Sequence, residues 1–283
     1  MTSAPTIDGL RDARGRFSML AIDQRESLRQ MLSRGTEAPV GDDALVDFKV
    51  AVVETLAPAA SAVLVDRQYG ERAARAAACP VILAADILSQ SVPGGAVDRA
   101  ELDEELTEEV ALRLRAAALK MLVPWTPDRR DEAGELTDRF MSLCRALGLP
   151  GIVEGVVRPV DISAWSDRDR DYALVQAARD LAAHRPDLYK AEIPSYGRGD
   201  GETITAAARA ITESLDCPWV VLSSGVTADL FPRAVALCAA GGAQGFLAGR
   251  AIWADAIAAP DPEEFLRVES RRRLETLAAG GEA

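Results

Sequence analysis

Two lysines and one glutamate are the side chains of this sequence whose types and positions best suit attack on a carbonyl group. Of the 32 basic residues only three are lysine, namely Lys49, Lys120 and Lys190. A buried lysine beside another cation can lose its proton and act as a nucleophile, whereas arginine stays charged in proteins. Lys120, Glu154 and Lys190 each lie inside a short apolar segment, where an unpaired charge would be costly. We therefore expect these three side chains to face one another.

Lys190 is the stronger candidate for the nucleophile. It lies in the segment LYKAEIP, and Glu192, two residues later, would point to the same side of a strand. Lys120 would then be a second amine that lowers the pKa of Lys190 and binds substrate oxygens. Lys49 lies on a predicted helix and is expected to be a surface or helix-packing residue. The alternative for the set is a buried salt-bridge cluster that performs no chemistry.

Two glycine-containing segments near the C-terminus could bind an anion. In SSGVTADLF, Ser223, Ser224 and Gly225 provide hydroxyl donors and an open backbone. In GFLAGRAIW, Gly249 would let the chain approach an anion and Arg250 offers a fork of donors. The last two loops of many barrels bind phosphate through backbone N–H groups. The sequence therefore predicts a phosphate site on these segments.

The histidine and cysteine content argues against a zinc site and against a Ser–His–Asp catalytic triad. The chain has one histidine, His184, at a predicted helix end, where a capping or surface position is expected. A zinc site built on histidine needs several of these residues, and this chain has one. Neither a metal nor another cofactor is therefore expected. The four cysteines are widely spaced without a CxxC pair and are expected to be small apolar residues: Cys79, Cys144, Cys217 and Cys238.

Eight short apolar segments alternate with longer amphipathic ones. The predicted strands are 17–23, 62–66, 81–86, 118–125, 151–157, 188–194, 219–225 and 245–251. Strands with near-continuous apolar character are typical of a parallel sheet covered on both faces. We predict a single (β/α)₈ TIM barrel over residues 1–283, with a final helix and tail at about 261–283. A doubly wound open sheet is the alternative, but no GxGxxG motif follows the first strand.

In such a barrel the active site lies at the C-terminal ends of the strands. Asp23, Asp66 and Asp86 end the first three predicted strands, and the lysines and glutamate lie in the next three. The predicted fold therefore gathers these titratable side chains at one end of the barrel.

Net charge restricts the partners. The formal charge of −12 argues against a nucleic-acid partner, and a phosphate substrate would need local positive charge supplied by the site. No apolar run is long enough to span a membrane or to form a signal peptide, so a cytoplasmic enzyme without membrane association is expected.

Taken together, the motifs resemble those of the 6-deoxy-6-sulfofructose-1-phosphate aldolases and, less closely, the related tagatose-1,6-bisphosphate aldolases. The matching segments occur in order over about residues 8–260: MLAIDQRESLR, VDFKV, LAPAASAVLVD, LKMLVPW, VVRP, DLYKAEIP, PWVVLSSGV, LFPRAV and GFLAGRAIW. The resemblance implies a metal-free class I aldolase on a TIM barrel that acts on a small ketose phosphate. By the same analogy we expect a homo-oligomer.

The resemblance also implies roles for individual residues. Lys190 would form the Schiff base with Glu154 as acid/base, Lys120 would be the second lysine, Asp23 would hold substrate hydroxyls and Gln24 would contact substrate. The anion-binding segments are matched by Ser224, Gly225, Gly249 and Arg250. The sequence departs from the family pattern at Gly155, at Arg67 and in the loop 195–203.

The expected substrate is 6-deoxy-6-sulfofructose 1-phosphate, cleaved to dihydroxyacetone phosphate and 3-sulfolactaldehyde. A sulfonate carries one charge and suits neutral donors such as Gln24 and Gln68, whereas Arg25 and Arg67 turned inward would favour a second phosphate. Tagatose 1,6-bisphosphate, or a similar ketose bisphosphate, is the alternative within the class. Outside it, the alternative is a non-catalytic regulatory barrel that binds a sugar phosphate.

Overall fold

The computed structural model describes residues 6–34, 39–91, 97–158 and 165–280. Its strands, numbered along the chain, are β1 (Phe17–Ala21), β2 (Val63–Val65), β3 (Val81–Ala84), β4 (Asp86–Ser89), β5 (Arg99–Leu102), β6 (Ala116–Trp125), β7 (Gly151–Val157), β8 (Leu188–Glu192), β9 (Trp219–Leu222) and β10 (Gly245–Ala248). Eight of them close into a parallel barrel in the order β1, β10, β9, β8, β7, β6, β3, β2. The predicted barrel is confirmed.

The helices lie between the strands and cover the barrel. They are α1 (Glu26–Leu32), α2 (Asp42–Leu56), α3 (Glu71–Ala76), α4 (Glu108–Arg113), α5 (Arg130–Leu147), α6 (Asp167–Ala182), α7 (Gly201–Thr212), α8 (Phe231–Ala240), α9 (Arg250–Trp253), α10 (Pro262–Phe265) and α11 (Arg271–Ala279). A π-helical turn over Leu266–Ser270 joins α10 to α11. The chain is therefore helical from Pro262 to Ala279, where the final helix was predicted. Of the predicted tail, residues 281–283 lie outside the described residues, as does Pro159 of the VVRP motif.

Within the described residues, no helix combines the length and the apolar character needed to cross a membrane.

The lower part of the barrel lumen is filled by apolar side chains. Strand residues face alternately inward and outward, so every second residue points into the lumen. The buried inner cluster includes Phe17, Met19, Leu64, Ile82, Ala118, Ile152, Leu188, Val220 and Leu247. Lys120, Glu154 and Lys190 each follow one of these residues by two positions. The strand periodicity therefore places them in the lumen, directly above an apolar floor.

A hairpin above the third barrel strand was not predicted. The sequence pattern indicated one strand over 81–86, but β3 ends at Ala84 and β4 begins at Asp86, pairing antiparallel with β5. Leu88 of β4 and Val97, just before β5, pack on Leu122, Val156 and Leu222 in the upper lumen. The hairpin thus adds an apolar rim on one side of the barrel mouth.

The barrel closes where β10 pairs with β1, and the closure depends on Gly245. Gly245 lies opposite Phe17 with φ +136°, and a Cβ placed there would lie 2.0 Å from the Phe17 carbonyl oxygen. We predict that Gly245→Ala lowers the free energy of unfolding by roughly 2–4 kcal/mol, because backbone strain and overpacking act together. Urea unfolding should measure this loss. Gly9→Ala, where a Cβ would meet no atom within 4 Å, is the matched control and should be near neutral.

Candidate active site

A cluster of six charged side chains fills the lumen at the C-terminal ends of the barrel strands. Its members are Arg25, Lys120, Lys190, Asp23, Asp86 and Glu154. The three carboxylates and the two lysines are buried, and the Arg25 side chain is 12% exposed. With every group ionised, the three cations and three anions balance. A neutral sum matters here because an uncompensated charge in this position would be costly.

Glu154 bridges the two lysines. Its Oε2 atom lies 2.7 Å from Lys120 Nζ and 3.0 Å from Lys190 Nζ. Strand pairing produces this arrangement, since Glu154 of β7 lies in register with Lys190 of β8. The structure therefore brings together the three side chains that the sequence predicted to face one another.

Lys120 is surrounded by carboxylates. Besides Glu154, its Nζ lies 3.0 Å from Asp23 Oδ2 and 3.2 Å from Asp86 Oδ2. Burial alone would lower the pKa of Lys120, but the three carboxylates outweigh it and hold the pKa well above 10.5. Burial would raise the pKa of Asp23, but Lys120 and Lys190 outweigh it and hold that pKa far below its usual value. These three contacts therefore favour the charged form of Lys120.

Lys190 has a different environment. Among the described residues, its only ion-pair partner is Glu154. One ammonium group thus has three carboxylate partners and the other has one. Within the described part of the chain, Glu154 is the one carboxylate in direct contact with Lys190, whereas Lys120 shares its ammonium group among three.

The two predicted anion-binding segments meet at the mouth. Arg250 Nη2 donates to Ser224 Oγ at 3.0 Å, and the Gly249 amide donates to Ser223 Oγ at 3.3 Å. Arg250 is exposed, and Gly225 has φ +77°. The pairing of β9 with β10 brings these segments side by side. A guanidinium, hydroxyl groups and open backbone therefore lie together beside the lysine cluster.

Gln24 lies between the lysine cluster and Gly249. A Cβ at Gly249 would lie 2.5 Å from the Ala21 carbonyl oxygen and 3.2 Å from Gln24 Nε2. Glycine therefore lets the end of β10 approach the end of β1. Gln24 Oε1 is buried and has no hydrogen-bond partner within the described part of the chain.

Of the two positions expected for Lys49, the surface one is wrong, and Lys49 lies buried where α2 packs on the barrel. Lys49 is fully buried and donates to the carbonyl oxygens of Ile22 at 2.6 Å and Gln24 at 2.7 Å. It also forms an ion pair with Asp66. Asp66, which ends β2, is therefore engaged by Lys49 rather than by the lysine cluster. A lysine on an amphipathic helix looks exposed in sequence, and only the packing of α2 on the barrel reveals its partners.

Arg25 and Arg67, the two arginines that could have served a second phosphate, are both paired within the chain. Arg25 donates to the Asp86 carboxylate and to the Asp86 carbonyl oxygen, each at 2.5 Å. Arg67 pairs with Asp103 through two nitrogens and reaches Glu105 at 2.8 Å. Either arginine would have to leave a carboxylate in order to bind a substrate anion.

A second ionic group above Lys190 was only partly expected. Glu192 Oε1 lies 3.0 Å from Arg158 and 3.3 Å from Arg170, and Glu192 Oε2 accepts from the Val157 amide. The sequence predicted the direction of Glu192 but not these arginines. Arg158 follows the end of β7, and a charged residue at the C-terminal end of a barrel strand could have been identified as a site residue from the sequence. Arg170 lies on α6 and gives no signal of its own.

The loop 195–203, one of the departures from the family pattern, packs against the anion segment. Ser195 and Tyr196 have φ of +48° and +50°, and Asp171 accepts from both the amide and the hydroxyl of Ser195. The Arg170 guanidinium carbon lies 3.7 Å from the centre of the Tyr196 ring. A Cβ at Gly225 would lie 2.8 Å from the same ring. The loop after Lys190 therefore supports the turn that carries Ser224.

The departure at Gly155 lies outside the lumen. A Cβ there would lie 1.9 Å from the Tyr189 hydroxyl oxygen and 3.1 Å from Leu181 of α6. Gly155 therefore faces the helix layer, and the position does not border the far end of a substrate.

The remaining candidates lie apart from the mouth. His184 Nδ1 lies 2.6 Å from Asp138 Oδ1, between the end of α6 and α5. Burial raises the pKa of Cys79 to about 12 and that of Cys217 to about 11, which favours the thiol form. In the described ranges, no three side chains of the metal-binding types are grouped to hold an ion.

Comparison with known proteins identifies the family. The sequence model of the DeoC/LacD family of aldolases matches residues 17–255. The tagatose 1,6-diphosphate aldolase of Listeria monocytogenes is 30% identical over 311 residues, covering 95% of this chain and 89% of the relative.

Solved structures support the same fold. A fructose-bisphosphate aldolase from Plasmodium falciparum superposes with a TM-score of 0.72 at 12% identity, covering 97% of this chain and 92% of that one. An archaeal fructose-1,6-bisphosphate aldolase, with its catalytic lysine bound to the carbinolamine intermediate, gives 0.64 at 15% identity, covering 96% and 97%. At these identities the likeness concerns the fold alone.

Removing the Lys120 ammonium group should leave the buried carboxylates around it without their shared cation. We predict that Lys120→Met lowers the free energy of unfolding by about 3–5 kcal/mol at pH 7.5, because buried carboxylates lose their shared cation. The lowered pKa of Asp23 stabilises the folded wild type above its unfolded value of 3.8, and this contribution is lost as the pH falls through the folded pKa. In the variant, burial without the cation raises that pKa. The deficit relative to wild type should therefore be smaller at pH 4.5.

Urea unfolding of wild type and variant at both pH values checks this. Lys190→Met, which removes a cation with one carboxylate partner, is the control and should cost less. Equal deficits of Lys120→Met at the two pH values would contradict the assignment.

Proposed function

The chain belongs to the DeoC/LacD family of class I aldolases, and we propose that it cleaves a ketose 1-phosphate through a Schiff base on Lys190. The observation that carries the proposal is the sharing of Glu154 between two unequal lysines. Lys120, with three carboxylate partners, keeps its proton, whereas Lys190, with one, can transfer its proton to Glu154. The transfer changes no net charge in the buried cluster.

Each bond change can be assigned to these groups. The neutral Lys190 amine attacks the C2 ketone, and protonated Glu154 donates to the hydroxyl of the carbinolamine, which leaves as water. Glu154 then accepts the proton of the C4 hydroxyl as the C3–C4 bond breaks, and the electron pair moves into the iminium to form an enamine. The aldehyde departs, and Glu154 returns the proton it took to C3 of the enamine, which restores the iminium. Water then hydrolyses the iminium, releasing dihydroxyacetone phosphate and the free Lys190 amine.

The C1 phosphate would bind at the segments that end β9 and begin α9. Arg250 and Ser224 lie within hydrogen-bond distance of each other there, and Gly225 and Gly249 leave the backbone open. The chain as a whole carries −12 and would repel a phosphate at long range, so the site needs local positive charge. The Arg250 guanidinium supplies it.

For the far end of the substrate we favour a sulfonate, which makes the substrate 6-deoxy-6-sulfofructose 1-phosphate. Arg25 and Arg67 are held by Asp86 and by Asp103 with Glu105. A sulfonate carries one negative charge, whereas a phosphate monoester near neutral pH carries about −1.5 to −2. A site with its cations engaged and the Gln24 amide nearby suits the smaller charge.

Tagatose 1,6-bisphosphate is the second candidate. The observation in its favour is that the Listeria monocytogenes relative, 30% identical over nearly the whole chain, is a tagatose 1,6-diphosphate aldolase. Both candidates share the Lys190 chemistry and the C1 phosphate site. They differ in the group carried at C6 and in the configuration at C4, where tagatose and fructose are epimers.

Covalent trapping tests the Schiff base. Sodium borohydride added with dihydroxyacetone phosphate should leave a reduced adduct on the peptide that contains Lys190, detected by mass spectrometry. Lys190→Met should abolish the adduct, and EDTA should not affect it. An adduct on Lys120, or none in wild type, would contradict the proposed chemistry.

Turnover of two substrates tests the far end. We expect kcat/KM for 6-deoxy-6-sulfofructose 1-phosphate to exceed that for tagatose 1,6-bisphosphate by about tenfold or more, which corresponds to about 1.4 kcal/mol. Fructose 1,6-bisphosphate serves as the stereochemical control. Equal or faster cleavage of the tagatose compound would assign the bisphosphate and leave the Lys190 mechanism in place.

A further inference from the structure

Four consecutive backbone carbonyl groups, beginning with the last residue of β1, accept hydrogen bonds from side chains. The donors are Trp253 for Ala21, Lys49 for Ile22, Arg25 for Asp23 and Lys49 again for Gln24. The last ladder bond of this strand end is from the Ile22 amide to Leu64, and α1 begins only at Glu26. No regular structure holds residues 23–25, so side chains must do so.

Lys49 makes the largest contribution to this support. An ammonium group has three N–H donors, and the three acceptors around Lys49 Nζ are the carbonyl oxygens of Ile22 and Gln24 and the carboxylate of Asp66. Asp66 is fixed in turn, because its second oxygen accepts from the Tyr69 amide at 2.7 Å. The two carbonyl groups lie immediately before and after Asp23. Lys49 therefore fixes the backbone on both sides of the residue whose carboxylate contacts Lys120.

The chemistry of the contact explains why lysine occupies this position in an arginine-rich chain. The three acceptors diverge from a single nitrogen in a pocket with no solvent exposure. A planar guanidinium is larger and directs its donors in one plane, so it cannot take the same place. All three lysines of the sequence thus lie in the proposed active site or directly beside it.

We propose that Lys49 is a positioning residue for the aldol cleavage, holding Asp23 and Gln24 in the geometry that the C4–C6 part of the substrate requires. Lys49 is fully buried and does not itself reach the substrate. The inference rests on the proposed function and on the roles that the family resemblance implies, in which Asp23 holds substrate hydroxyls and Gln24 contacts substrate. It separates two halves of the site: binding of dihydroxyacetone phosphate at Lys190 and Arg250 should not need Lys49, whereas cleavage of the complete ketose should.

The double variant Lys49→Met/Asp66→Asn tests this separation, because it removes both charges and leaves no buried charge unpaired. The side-chain amide oxygen that replaces the carboxylate can still accept from the Tyr69 amide. We expect borohydride trapping of dihydroxyacetone phosphate within twofold of wild type, and a loss of at least tenfold in kcat/KM for the ketose that wild type cleaves faster. Thr137→Val, which removes a buried hydrogen bond within α5, is the control and should change neither measurement.

Lys49→Arg keeps the charge and changes only the geometry, and it should show the same split. Cleavage within twofold of wild type in either Lys49 variant would overturn the proposal. Equal losses of trapping and cleavage would also overturn it, because they would mean that Lys49 supports the whole barrel mouth. Failure of wild type to trap dihydroxyacetone phosphate would instead refute the Schiff-base function, so the two failures are distinguishable.

Discussion

The Glu154 carboxylate between two buried ammonium groups is the interaction on which the barrel mouth depends. Charges in this position are tolerable only when they are paired, and the cluster of three cations and three anions meets that condition. The pairing is uneven, because Lys120 has three carboxylate partners and Lys190 has one. In the proposed mechanism that difference, rather than the presence of two lysines, gives one amine a fixed charge and the other a transferable proton.

The rest of the barrel maintains this balance. An apolar floor lies directly beneath the charged layer, and Leu122, Val156 and Leu222 lie above it, so the charged groups are largely surrounded by apolar side chains. In such surroundings each ion pair is stronger than it would be in water, and each unpaired charge costs more. Closure of the sheet adds the third component, because Gly245 and Gly249 let β10 approach β1 closely. The anion segments therefore lie beside the charged layer.

The hairpin β4–β5 connects the chemistry with substrate selection. Asp86, its first residue, contacts Lys120 and also holds Arg25. The same carboxylate thus stabilises the charged lysine and withdraws an arginine from the far end of the pocket. Since the engaged cations determine which distal anion is favourable, specificity and catalysis share one structural origin in this proposal.

The sequence by itself determined the barrel and its eight strands, because apolar segments of strand length at regular spacing leave few alternatives. It also determined that Lys120, Glu154 and Lys190 face the lumen, since strand periodicity sets side-chain direction. The partners of each charge were decided only by the tertiary structure: the hairpin position of Asp86, the pairing of Arg67 and the burial of Lys49. Periodicity acts along one element, whereas an ion pair forms between elements distant in sequence, and only their packing brings its two atoms together.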